Sequence, residues 1–134
     1  IYALAAWPIG KYADQIPRAI LLAYGFATLC AGALCLAHAT SLSLALIGLA
    51  LWGLSLALTQ GVFAAMIASD APAALRGSAF GLFNLASGCA MIAGNAICGV
   101  LWDSYGASAA FIVTALSALL VLALFAIWRR RLIR

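Results

Sequence analysis

The chain has 134 residues, of which 68% are hydrophobic and 7% charged, with a net charge of +4. A soluble domain carries about 25% charged residues, so this composition excludes one and indicates an integral membrane protein. The positive excess does not indicate nucleic acid, because the basic residues lie between long apolar stretches, where membrane topology places them.

Other classes are excluded by what is missing. There is no glutamate and one histidine. Nucleophile, base and metal-ligand clusters of the kind catalysis needs are absent, so the reading is a non-enzyme without cofactor or metal. The four cysteines, Cys30, Cys35, Cys89 and Cys98, all fall in apolar stretches. They match no zinc or redox spacing and read as small apolar residues.

The first apolar piece, IYALAAWPIG, is too short to span a bilayer. With no methionine, signal peptide or basic leader before it, it reads as the end of a helix, and the sequence as a fragment. Residues 10–18, GKYADQIPR, form a polar loop, in which Pro17 suits the start of the next helix. A span is predicted over 19–37, with Gly25, Thr28, Gly32 and Cys35 as a small-residue packing face. HATS, residues 38–41, is a tight turn, with His38 solvated at the span end. The second span is predicted over 42–67. Gly48, Trp52, Ser55, Thr59, Val62 and Met66 share one of its faces at steps of three and four. Gln60 falls on a different face.

Residues 69–76, SDAPAALR, form a second polar loop, with Asp70 before Pro72 as a helix start. The third span, 77–101, sorts its residues most clearly. Gly77, Gly81, Asn84, Gly88, Met91, Asn95 and Gly99 fall in a stripe about 80° wide at about 100° per residue. Phe80, Leu82, Phe83, Leu85, Ile92, Ile97 and Leu101 occupy the other faces. Two carboxamides in hydrocarbon need partners, and the glycines admit a close backbone. The stripe is therefore a packing seam or the wall of a solute pathway, and periodicity alone leaves both open. WDSYG closes this helix as a short turn. The last span, 107–128, is apolar on nearly every face and reads as peripheral and lipid-facing.

Four complete spans alternate sides. Lys11, Arg18, Arg76, Arg129, Arg130, Arg131 and Arg134 are all seven basic residues, and all fall on one side, with the C-terminus. The opposite turns carry only His38 and Asp103. The positive-inside rule makes the basic side cytoplasmic. The three acids, Asp14, Asp70 and Asp103, sit at span ends, so no proton-relay carboxylate is expected within these spans.

GKYADQIPR resembles the cytoplasmic loop signature of the major facilitator superfamily. Gly10, Asp14 and Arg18 match its pattern, whereas Gln15, Pro17 and Ala19 stand where a basic residue, a glycine and a second arginine are usual. The stretch LTQGVFAAMIASDAPAALRGSAFGLFNLASG, then GVLWDSYG and a last span with a basic tail, is similar to the close of bacterial members. The resemblance covers essentially the whole chain. It implies an all-α membrane fold: the end of the eighth helix, then the ninth to twelfth, belonging to the second six-helix half of a twelve-helix transporter.

In that family the tenth and eleventh helices line the central cavity, and the ninth and twelfth pack outside. The resemblance thus implies secondary active transport of a small solute by alternating access, in a bacterial inner membrane, with the C-terminus cytoplasmic. The implied partners are the solute, the lipid bilayer and the preceding helices of the same transporter. The implied substrate-contacting residues are Trp52, Ser55, Thr59, Asn84 and Met91, and the implied gating residues are Gly10, Asp14 and Arg18. Asn95, roughly 16 Å from Asn84 along the same stripe, is expected in a close helix contact instead. A non-transporting four-span protein and a small multidrug exporter are the alternatives. Such exporters resemble one another in using a membrane glutamate, which this chain lacks.

Overall fold

The computed structural model describes residues 1–13 and 15–132. The described residues form five α-helices: α1 (Tyr2–Ala13), α2 (Arg18–Ala37), α3 (Leu42–Asp70), α4 (Arg76–Tyr105) and α5 (Ala107–Leu132). A single 3₁₀ turn, Ala73–Leu75, precedes α4. Four helical stretches, 18–37, 42–70, 73–105 and 107–127, are long and apolar enough to cross a membrane. The four spans stand where the hydropathy pattern places them, with the shorter helix α1 before them.

The connections are shorter than the sequence suggests. α1 continues through Gly10 and Lys11 to Ala13, so the first loop begins later than residue 10. Asp70 ends α3 rather than starting the next helix. Residues 102–105 of the WDSYG stretch belong to α4, leaving Gly106 alone as the link to α5. One cause explains all three. Backbone groups near an apolar layer are best satisfied within their own helix, so helices run on until proline or glycine stops them. Pro17 precedes α2 and its carbonyl accepts from the Ile20 amide at 2.8 Å. Pro72 follows α3. Gly106 has φ 85° and ψ 170°, a backbone conformation open essentially to glycine alone. At the remaining turn Ser41 caps α3, its Oγ accepting from the Leu44 amide at 3.3 Å. His38 is exposed, and its Nδ1 donates to the Leu34 carbonyl at 3.0 Å.

α2 makes the most extensive contacts, with α3 and with α5. One side of it meets α3 through glycines. A Cβ added at Gly32 would lie 2.9 Å from the Gly48 carbonyl oxygen, and one at Gly25 would lie 2.5 Å from Thr59 Cγ2. Small residues here bring backbone against backbone, the usual basis of helix association in lipid. Nearer the other end of this contact, Leu21 and Leu22 pack with Val62, flanked by Leu58, Phe63 and Met66. A second side of α2 places Cys30 and Ala33 against Ala115 and Ala118 of α5. Ser108 Oγ donates to the Ala37 carbonyl at 2.7 Å, tying the start of α5 to the end of α2. α5 is thus outward-facing along Leu116, Leu119, Leu120 and Leu124, while its alanine side is packed. All four cysteines are free thiols.

α1 lies along α3, and α4 leans on α5 and touches α3 lightly. No residue of α4 is buried.

Candidate functional site

Between α3 and α4 lies a cleft of about 460 Å³. α3 contributes Gln60, Phe63 and Ala64, and α4 contributes Phe80, Phe83, Asn84 and Ser87. Gln60 stands ten residues before the end of α3, and Asn84 eight residues after the start of α4. At about 1.5 Å per residue these are roughly 15 Å and 12 Å from helix ends that lie on the same side. The two carboxamides therefore sit at similar depth. Phe63 and Phe83 bridge the helices, with ring centroids 6.0 Å apart and planes tilted by 38°.

The polar groups here are only partly engaged. Tyr2 of α1 donates its hydroxyl to Gln60 Oε1 at 3.0 Å. This fixes the Gln60 amide and leaves its two N–H donors unoccupied. Asn84 and Ser87 make no hydrogen bond to any described residue. No ionisable side chain lines the cleft among the described residues. No group of three or more potential metal ligands exists among them either.

The residues singled out by sequence are not all brought together. Asn84 lines the cleft. Met91 is 65% exposed on the open side of α4. Trp52 points to α5, meeting Phe111 edge-on at 6.3 Å, and Phe111 in turn meets Trp102 at 6.0 Å. Ser55 is 2% exposed, and its Oγ donates to the Trp52 carbonyl at 2.7 Å. Thr59 Oγ1 donates to the Ser55 carbonyl at 2.9 Å, while its methyl group faces Gly25. Ser55 and Thr59 thus lie on the α2 side of α3, with their hydroxyls bonded within their own helix.

Where α2 begins and α3 ends, Ser69 Oγ accepts from Arg18 Nη1 at 2.8 Å. It shares its own proton between Asp70 Oδ1 at 2.8 Å and the Met66 carbonyl at 3.0 Å. Gly10 lines a groove between α1 and α3. Asp14 lies outside the described residues.

The α4 stripe turns mostly away from its neighbours. A Cβ added at Gly77, Gly81, Gly88 or Gly99 would meet nothing within 4 Å, and Asn95 is exposed. The side of α4 that packs runs through Phe80, Ser87 and Cys98, about a quarter turn from the stripe. The close helix contact expected at Asn95 is therefore not made within the described residues. Gln60 and Ser87 belong to the cleft, although the periodicity singled out neither. The available signal was a carboxamide deep inside an apolar span, which is costly there and marks function by default.

Comparison with curated proteins and with solved structures finds no match. The family model described as Major Facilitator Superfamily matches residues 1–132. With four membrane-spanning helices in an all-α arrangement and this match over almost its whole length, the chain belongs to the Major Facilitator Superfamily and is a membrane transporter rather than an enzyme.

Proposed function

We propose that the chain is the closing part of a secondary active transporter, from the end of helix eight through helix twelve. On this reading it moves a small solute by alternating access. The cleft between α3 and α4 forms part of the solute path. The observation that carries this is the set of polar groups at the cleft, Gln60, Asn84 and Ser87, on two spans without a charge nearby. Polar side chains inside a membrane face a protein interior or a hydrated cavity, and transporter sites lie between helices near the membrane interior.

Asn84 is the solute contact in this reading, with Met91 about 10 Å further along the same helix. Trp52, Ser55 and Thr59 contribute by holding α3 against α5 and α2, which fixes the opposite wall. Gly10, Asp14 and Arg18 act at the cytoplasmic end, where the Arg18–Ser69–Asp70 chain of hydrogen bonds joins α2 to α3. Lys11, Arg18 and Arg76 at this end support a cytoplasmic assignment by the positive-inside rule, in a bacterial inner membrane.

Single cysteines at positions 84 and 95 test the reading. They are introduced after Cys30, Cys35, Cys89 and Cys98 are replaced, and probed with a membrane-impermeant thiol reagent from each side. The expected result is labelling at 84 that substrate suppresses, and no suppression at 95. Absence of labelling at 84 from both sides refutes a solute path through the cleft.

A further inference from the structure

We infer that the α3–α4 cleft selects an uncharged solute with a flat apolar body and a carboxamide-like polar edge. This rests on the reading of the cleft as part of the solute path, and adds the chemical class that the path accepts.

Three features of the wall lead there. The first is charge. The charged side chains nearest along the two cleft helices are Asp70 and Arg76, at the inner ends of α3 and α4. They stand roughly 15 Å and 12 Å along the axis from Gln60 and Asn84. Asp70 is also engaged by Ser69, and Arg76 Nε donates to the Ala71 carbonyl at 3.4 Å. A carboxylate or ammonium that gives up hydration to enter the cleft meets no opposite charge among the described residues, which is unfavourable.

The second feature is hydrogen bonding. Tyr2 occupies one lone pair of the Gln60 carbonyl oxygen, so Gln60 offers its two N–H donors and one remaining acceptor position. Asn84 offers both donors and an acceptor, and Ser87 a hydroxyl of either sense. A ligand edge carrying a carbonyl acceptor beside an N–H donor satisfies this set. A pure hydrocarbon would leave it unpaired, at the cost of desolvating each group.

The third feature is shape. Phe63, Phe80 and Phe83 supply aromatic surface on both helices, and Phe63 and Phe83 are tilted rather than stacked. Offset and edge contacts of this kind favour planar rings. A volume of about 460 Å³ falls within the usual 300–1,000 Å³ of small-molecule pockets.

The test uses three probes that share one ring and differ in charge: indole-3-acetamide, indole-3-acetate and tryptamine. Binding to the purified full-length transporter in lipid nanodiscs is measured by titration calorimetry at neutral pH. The amide is expected to bind at least about tenfold more tightly than either charged probe. Asn84→Leu and Gln60→Leu should each remove most of that preference, while Asn84→Gln, which keeps the carboxamide, should retain it. A charged probe that binds as tightly as the amide overturns the inference. So does an amide preference that survives both leucine variants, or the absence of amide binding. If position 84 still labels from water in any of these cases, the solute path stands and only the chemical class falls. If position 84 does not label, both fall together.

Discussion

Gly32→Ala tests the packing of the α2–α3 seam. The new Cβ would sit 2.9 Å from the Gly48 carbonyl oxygen, 3.1 Å from the Trp52 amide nitrogen and 3.2 Å from Leu51 Cβ. Two of these three are backbone atoms, which cannot rotate away. The helices must separate by about half an ångström to restore ordinary contact in a close-packed interface. Overpacking of this kind costs about 1–3 kcal/mol. Alanine also recovers about 1 kcal/mol of helix propensity over glycine, so a single variant would mix two opposed effects.

Gly61→Ala on α3 supplies the control, since a Cβ there meets nothing within 4 Å. The propensity gain is common to both variants and cancels in the comparison. Gly32→Ala should therefore be less stable than Gly61→Ala by about 1–3 kcal/mol. That corresponds to a factor of about 5 to 150 in the folded-to-unfolded ratio. Reversible denaturation of each variant in mixed micelles, followed by circular dichroism, measures the difference. Equal stability, or a more stable Gly32→Ala, would show that the glycines do not set the helix separation, and the argument would fail.

Two further outcomes follow, one from the backbone and one from the proposed gating loop. Gly106→Ala should destabilise the protein by about 1–3 kcal/mol, because φ 85° and ψ 170° lie where a Cβ is strained; thermal melting of the variant checks this, and an unchanged melt refutes it. On the proposed gating role, Asp14→Asn should slow turnover while leaving substrate affinity nearly unchanged. Transport rates and binding measured on the same preparation separate the two effects, and normal turnover would exclude the role.

The spans were legible in the sequence because hydrocarbon imposes a length of apolar residues that little else requires. The turns were legible only in kind. Pro17, Pro72 and Gly106 mark where helices stop, but nothing in composition says that polar residues such as Asp103 and Ser104 will still be helical. The α2–α3 seam was visible as Gly25 and Gly32, since glycines at heptad spacing have few other uses in a span. The cleft was half visible. Asn84 stood out in its stripe, but Gln60 fell outside the face chosen for α3. When apolar residues occupy every side of a helix, periodicity does not fix its rotation. The contacts of neighbouring helices do, and here they turn Ser55 and Thr59 toward α2 and leave Gln60 on the cleft side. Phe80 and Phe83 were assigned to the apolar faces of α4 for the same reason, and they help line the cleft.

The unequal burial of the helices has a mechanical meaning. α3 is locked to α2 by interdigitated backbone, and any sliding there must break contacts at Gly25, Gly32 and Gly48. α4 leans on α5, meets α3 only lightly, is joined to α5 by Gly106 alone, and buries no residue among those described. The cleft therefore has one stiff jaw and one compliant jaw. Within the described residues, a displacement of α4 would disturb fewer packed atoms than one of α3. The donors of Gln60 keep a fixed position through Tyr2 and the seam behind them, while Asn84 and Ser87 travel with α4. On the proposed reading of the cleft as part of the solute path, solute size would be tolerated on the α4 side, and the chemical identity of the polar edge would be read against α3.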